Sequence, residues 1–340
     1  MGPRILRGER HEPTLIQSAV YAADGGRILA GVDFDTGARH ALTVWDVQHG
    51  DQARAWTVPG TMVNAAYALA ANADLSRVIA GHGRGVTALW DGASGSLVRE
   101  LDHAGDWVRS VAATADGTLF ASAGDSGQVW FWRGDSGAPA RAPLKVAARA
   151  TAIAFAPDAK RIAVAESPGF VHVWDFEQER WALEWKAHPT WIESVEFSRD
   201  GTLLVTAGRQ DHTAKLWDAR SGQLLSTLRG HEDNLVHASF SPDNARVATV
   251  SSDHTARLWD ARTGEVLRVL HGPTYSARFS PDGRELLTSG AGDFLVLWDV
   301  TLDPRSPSEV ETFVRSRSPW RLQDGRLLLR SDVRVAPRQE

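Results

Sequence analysis

Tryptophan recurs along this chain at nearly constant intervals, and that periodicity constrains the fold more than any other feature. An apolar residue, Trp and Asp stand together at Val44-Trp45-Asp46, Leu89-Trp90-Asp91, Val173-Trp174-Asp175, Leu216-Trp217-Asp218, Leu258-Trp259-Asp260 and Leu297-Trp298-Asp299. Phe131-Trp132-Arg133 fills the gap between the second and the third. The Trp-to-Trp spacings are 45, 42, 42, 43, 42 and 39 residues. Whole stretches are nearly duplicated, as in TAKLWDARSG (213–222) and TARLWDARTG (255–264). A period of this length sustained along a chain means one supersecondary unit written seven times.

Each period contains the same internal pattern. Two alternating apolar runs flank a turn in VEFSRDGTLLVTAG (195–208), ASFSPDNARVATVSS (238–252) and ARFSPDGRELLTSG (277–290). Asp24-Gly25, Asp116-Gly117, Asp200-Gly201 and Asp282-Gly283 predict hairpin turns with both central residues at positive φ. Asp158-Ala159 and Asp243-Asn244 hold equivalent places. The third run ends at the Trp, and a fourth, such as 223–228 or 266–270, follows a Ser-Gly or Thr-Gly turn. Helical periodicity is absent. Four short strands per period predict an all-β chain with one four-stranded antiparallel sheet per repeat. A lone sheet of that kind cannot bury both faces, whereas seven packed radially can, with only short protected edges.

In this pattern the chain resembles the WD-repeat family of β-propellers, over most of its 340 residues. The expected fold is a seven-bladed β-propeller of four-stranded antiparallel blades over 1–302, with a C-terminal β-hairpin extension over 303–340. The resemblance implies a structural network in which the repeated Trp joins a Ser or Thr, a His and an Asp. In blade six these are Trp259, Ser251, His231 and Asp253. In blade five they are Trp217, Thr206, His188 and Asp211, with one extra residue near Arg209-Gln210. Blade seven offers Trp298, Asp293 and His271, and blade three Trp132, Asp125 and His103. Blades two and four have no matching His.

A propeller closes when a strand from one terminus completes the blade begun by the other. ILRGERH (5–11) is similar to TLRGH (227–231), so residues 4–8 are the expected outer strand of the last blade, in preference to VETFV (310–314). Beyond the repeats, DPRSPS (303–308) reads as a loop and WRLQDGRLLL (320–329) as a hairpin turning at Asp324-Gly325, either a structural cap on the propeller or a surface for a partner.

Composition narrows the function. A net charge of −5 argues against nucleic-acid binding by phosphate neutralisation. There is no cysteine, which excludes disulfides, thiolate catalysis and Cys-ligated metals. No run of 18 apolar residues exists, MGPRILRGERHEPTL carries no signal-length apolar stretch, and Leu6 stands where N-myristoylation needs Ser or Thr. The expectation is a cytoplasmic protein that binds neither membrane nor nucleic acid. Only Lys145, Lys160, Lys186 and Lys215 are lysines, an Arg bias that suits a GC-rich bacterial genome.

Catalytic chemistry finds no residues. His212 and His254 occupy identical places in neighbouring repeats, but no third ligand converges on them, and no metal or cofactor is expected. GHGRG (81–85) lacks the Lys-Ser/Thr of a phosphate loop, SAGDSGQ (122–128) is the turn before Trp132, and no Gly-x-Ser-x-Gly elbow is present. The chain is therefore read as a non-enzyme. The innermost strands are expected to open at Leu15, Met62, Trp107, Arg149, Trp191, Asn234 and Pro273. Two residues further on stand Gln17, Asn64, Arg109, Thr151, Glu193, Val236 and Tyr275. Trp107, Arg109, Arg149, Trp191, Glu193 and Tyr275 would then form an aromatic and charged rim around the central channel, the residue types that anchor interfaces. Trp56, Trp130, Trp181 and Trp185 fall within strands and are read as blade packing. The expected function is a monomeric, non-catalytic protein–protein interaction scaffold whose partner is a protein or peptide. The alternatives are the sensor or regulatory propeller of a larger bacterial signalling protein, such as a kinase or NTPase, and a propeller hydrolase.

Overall fold

The computed structural model describes residues 3–7, 14–34, 40–50, 52–57, 66–82, 86–103, 105–272, 275–291, 294–301, 320–323 and 326–329. They form two compact units, Met1–Val300 and Thr301–Glu340. No helix occurs among the described residues.

The first unit is a seven-bladed β-propeller. Its strands run β1 (Arg4–Arg7), β2 (Thr14–Tyr21), β3 (Arg27–Phe34), β4 (His40–Asp46), β5 (Gln52–Thr57), β6 (Ala66–Ala71), β7 (Arg77–His82), β8 (Val86–Asp91), β9 (Leu97–Asp102), β10 (Val108–Ala113), β11 (Leu119–Gly124), β12 (Gln128–Arg133), β13 (Pro139–Lys145) and β14 (Ala150–Phe155). They continue β15 (Arg161–Glu166), β16 (Phe170–Asp175), β17 (Arg180–Lys186), β18 (Ile192–Phe197), β19 (Leu203–Gly208), β20 (Thr213–Asp218), β21 (Leu224–Arg229), β22 (Leu235–Phe240), β23 (Arg246–Ser251), β24 (Thr255–Asp260), β25 (Val266–His271), β26 (Ser276–Phe279), β27 (Glu285–Ser289) and β28 (Phe294–Asp299). Blades one to six are consecutive meanders beginning with β2. Blade seven has the order β1-β28-β27-β26, so its outer strand comes from the N-terminal end of the chain. Arg4 pairs with Leu297 and Arg7 with Phe294. In the second unit, β29 (Trp320–Gln323) and β30 (Arg326–Leu329) form a hairpin with Trp320 opposite Leu329. Residues 310–314 lie outside the described residues.

The hydrophobic core sits between blades, which explains the tryptophan period. Each repeated Trp packs against the blade before it. Trp90 joins Leu29 and Val44 of blade one, Trp217 joins Val171 and Val173 of blade four, and Trp259 joins Val205 and Leu216 of blade five. Trp45 of blade one packs on Leu6, Leu295 and Leu297 of blade seven, which seals the ring. Deleting one of these side chains would open a cavity between two sheets rather than inside one. Of the additional tryptophans, Trp130 stacks on Trp132, Trp181 meets Trp174 edge-on, and Trp185 of blade four packs on Trp217 of blade five. The Trp56 side chain lies outside the described residues.

The turns joining the first two strands of each blade differ from the expected type. Only the second turn residue has positive φ: Gly25, Leu75, Gly117, Ala159, Gly201, Asn244 and Gly283. The preceding Asp does not, because its carboxylate is used instead. Asp24, Asp74, Asp116, Asp158, Asp200, Asp243 and Asp282 each accept the backbone N–H two residues on, at 2.8 to 3.1 Å. This side-chain turn is the short-range competitor of a tight hairpin turn. Arginines opening the second strands tie neighbouring blades: Arg27 donates to the Asp74 carbonyl, Arg77 to Gly134, Arg161 to Gly201, and Arg246 to Gly283 and Val300.

Candidate functional site: the channel mouth and the tryptophan networks

In blade six the network is built across β22–β24. The Trp259 indole N–H donates to Thr249 Oγ1 at 2.8 Å, His231 Nε2 lies 2.7 Å from the same hydroxyl, and His231 Nδ1 lies 2.8 Å from Asp253. The hydroxyl is therefore Thr249 and not Ser251. Ser251 ends β23, where its own hydroxyl donates to the Asp233 carbonyl and accepts the Asp253 N–H. The cross-strand register sets Thr249 opposite Arg257, two residues before Trp259, which puts it in reach of the indole. Blade five repeats the arrangement with Trp217, Thr206, His188 and Asp211 at 2.9, 2.7 and 2.8 Å. The extra residue near Arg209 falls in the loop between β19 and β20 and leaves Thr206 in place.

Blades three and seven depart from expectation. Trp132 donates to Ser122 at 2.8 Å and His103 Nε2 lies 2.5 Å from that hydroxyl, but His103 Nδ1 faces the Leu101 carbonyl at 3.0 Å. Asp125 is outside the network, drawn away by Arg109. In blade seven Trp298 donates to Thr288 at 2.9 Å, while His271 is exposed at the end of β25 and Asp293 lies outside the described residues. In blades one, two and four the register places Ala30, Ala80 and Val164 at the hydroxyl position. The buried indole N–H groups of Trp45, Trp90 and Trp174 have no acceptor among the described residues.

The channel mouth is assembled from residues that open the innermost strands. The carbonyls of Trp107, Arg149, Trp191 and Asn234 accept the N–H of Asp125, Ser167, Arg209 and Ser252 at 2.9 to 3.1 Å. Each bond ties the opening residue to the turn before its own blade's third strand. In blade two the inner strand starts at Ala66, four residues beyond Met62, and both Met62 and Asn64 lie outside the described residues.

Around a cavity of about 430 Å³, lined by Trp107, Arg109, Trp191, Glu193 and Tyr275, charge and aromatic faces interleave. Arg109 holds Asp125 with a two-pronged contact at 2.7 and 3.1 Å. Its guanidinium also lies 5.6 Å from the ring centres of both Trp107 and Trp191. Arg149 lies 5.7 Å from Trp191 and 3.8 Å from Asp125. Sequence reasoning missed Arg209, which lies 6.0 Å from Trp191 and pairs with Glu193 at 3.1 Å. Its signal was the extra loop residue of blade five, which enlarges the turn facing the channel. Burial pushes the Glu193 carboxyl up from its ordinary value, against the pull of Arg209 and Arg109. Tyr275 contributes a 38% exposed ring from blade seven. Deeper in the channel, Arg278 pairs with Glu196 and lines a second cavity of about 410 Å³ at the opposite end. Among the described residues no group of three or more His, Asp and Glu could hold a metal ion. His212 and His254 take turn positions at φ 53° and 63°.

The seven-bladed ring of four-stranded antiparallel blades defines the class, a β-propeller. The family model for the WD domain, G-beta repeat, matches residues 95–133, 181–218, 222–260 and 264–299. These four matches end in blades three, five, six and seven, the blades whose Trp donates to Ser122, Thr206, Thr249 or Thr288. Among curated proteins, the chain is 27% identical over 99 residues to WD repeat and SOCS box-containing protein 1 of Xenopus tropicalis. It is 26% identical over 99 residues to the Homo sapiens protein of the same name. Each match covers 29% of this chain and 24% of the relative's length. Both relatives are vertebrate proteins, so these matches lend no support to the bacterial source that the arginine bias suggests.

Proposed function

We propose that this protein is a non-catalytic interaction scaffold that docks a partner protein at the channel mouth. The observation that supports this reading most is the cluster of Trp107, Trp191, Arg109 and Arg209 around the 430 Å³ cavity, with Arg149 against the Trp191 ring beside it. Aromatic rings and guanidiniums held in place by their own contacts lose little freedom on binding, and such residues dominate interface energies. The repeated tryptophans lie between blades, whereas Trp107 and Trp191 stand at strand openings and line the cavity at the channel mouth.

The test is a comparison of stability with affinity. The partner is captured from the source cell by crosslinking, identified, and titrated calorimetrically against Trp107→Ala and Trp191→Ala. Each substitution should weaken binding by about 2 kcal/mol, the scale of an anchor residue, with the thermal midpoint nearly unchanged. A large fall in stability with binding intact would make both residues packing elements and move the docking surface elsewhere.

A further inference from the structure

Around the Trp191 ring the ion pairs among the described residues leave one guanidinium unmatched. Three guanidiniums, those of Arg109, Arg149 and Arg209, surround the Trp191 ring within 6.0 Å. Two carboxylates answer them. Asp125 is engaged by Arg109 through both oxygens, and Glu193 is engaged by Arg209. Among the described residues Arg149 has only the Asp125 oxygen that Arg109 already holds, at 3.8 Å, and its side chain is 49% exposed. It therefore keeps donors in hand, at the rim, with its guanidinium oriented by the indole. This exposed guanidinium stands on a chain whose net charge is −5.

We propose that the channel mouth recognises a carboxylate side chain in an extended acidic segment of a partner protein, with Arg149 receiving that carboxylate beside Trp191. The inference rests on the docking reading above and adds the chemistry of the partner. A planar guanidinium fork matches a carboxylate in two hydrogen bonds. The stack against Trp191 holds that fork in place before the ligand arrives. The resident carboxylates decide between anions. With Arg149 left without a carboxylate at hydrogen-bonding distance among the described residues, the mouth suits a single carboxylate. A run of phosphates would meet Asp125 and Glu193 at close range, and like charges so placed repel. The indole face and the exposed Tyr275 ring supply apolar surface for the backbone and neighbours of the acidic residue.

The experiment uses the full chain and fluorescein-labelled decapeptide libraries. One has Asp or Glu fixed at its centre, a second has Asn or Gln there, a third has Lys, and a ten-residue thymidine oligonucleotide completes the set. Fluorescence anisotropy should show the acidic library binding at least about tenfold tighter than its amide counterpart, with affinity falling as salt rises. Arg149→Gln should lose about tenfold for the acidic library only, and Arg149→Lys should recover part of it. Arg284→Gln, in an exposed turn of blade seven, should change nothing. If amide and acidic libraries bind equally and Trp191→Ala abolishes both, the acidic preference is wrong and the docking reading stands. Equal binding by wild type and Arg149→Gln, tighter binding of the oligonucleotide, or no binding by any library would each overturn the proposal. Acidic binding that survives both Trp107→Ala and Trp191→Ala would overturn the docking reading with it.

Discussion

A neutral imidazole is the state in which the polar chain of blade six uses every donor once. The Trp259 N–H donates to Thr249, the Thr249 O–H donates to His231 Nε2, and the Nδ1–H donates to Asp253. Burial holds His188 and His231 below the ordinary histidine value, against the upward pull of Asp211 and Asp253. The folded protein thus takes up these protons less readily than the unfolded chain, so their stabilisation is complete above the ordinary histidine range and declines as pH falls through it. Asp211 adds a second step. Burial pushes its carboxyl up, but the His188 hydrogen bond and charge and the Lys215 charge outweigh that and hold it at about 2. Its contribution is present above the ordinary carboxylate range and is lost as pH falls toward about 2. The melting midpoint should therefore drop between about pH 7.5 and 5.5 and again below about pH 4. His188→Gln with His231→Gln should flatten the first drop, and calorimetric scans across pH would show it. Asp253→Ala strands the His231 N–H and should cost about 1–3 kcal/mol in urea unfolding. Asp91→Ala, which removes an exposed cap and an Arg77 contact, should cost less. The His and Asp of blades five and six were legible because each is tied to a local turn motif. The hydroxyl of blade six was not, because cross-strand register selects Thr249 over Ser251, and spacing along one strand carries no register.

Blades obey the repeat unevenly, and the hydroxyl position sorts them. Where Ser or Thr stands opposite the residue two before the Trp, the indole N–H is satisfied. Where Ala30, Ala80 or Val164 stands there, it is not. A buried donor left unpaired weakens its blade, so those blades rely on apolar packing between neighbours. Val164→Thr tests this cleanly, since the two side chains share a shape and Val164 is fully buried opposite His172. The new hydroxyl should accept the Trp174 N–H and raise stability by about 1 kcal/mol, seen as a higher urea midpoint at unchanged slope. A fall in the midpoint would mean that the indole points elsewhere. The blade count and strand order were legible from the tryptophan period, because every blade must bury one large ring on its predecessor. The form of the turns was not. An Asp-Gly pair serves equally in a tight hairpin turn and in a loop capped by its own carboxylate, and the seven Asp side chains choose the second.

At the scale of the molecule, stability depends on the ring being shut. Leu6 on β1 is fully buried among Leu295, Leu297 and Trp45, so one short strand joins blades seven and one. Removing residues 1–10 should leave the outer edge of β28 unpaired, uncover that cluster, and favour association through the open edge. Light scattering and melting should both report it. Removing residues 316–340, which belong to the separate compact unit, should leave the propeller's melting midpoint nearly in place. The reverse pattern would show that β1 is not what holds the ring. The channel mouth was partly legible. Equivalent positions in successive repeats had to share one face, which grouped Trp107, Arg149 and Trp191. Arg209 and the pairing of the charges depended on loop geometry that no period encodes.

The pairing of β1 with β28 also sets an order of events during synthesis. Of the strands in this ring, the first to leave the ribosome is the last to find its neighbour. At roughly 5–20 residues per second, β1 waits on the order of 15–60 s for β28. Throughout that interval a strand carrying Ile5 and Leu6 has no mate in its own chain. Blades one to six can each zip up as they emerge, whereas the clasp closes only when both halves exist, so a nascent chain stalled before β28 is an open arc whose two ends can each pair with a neighbour.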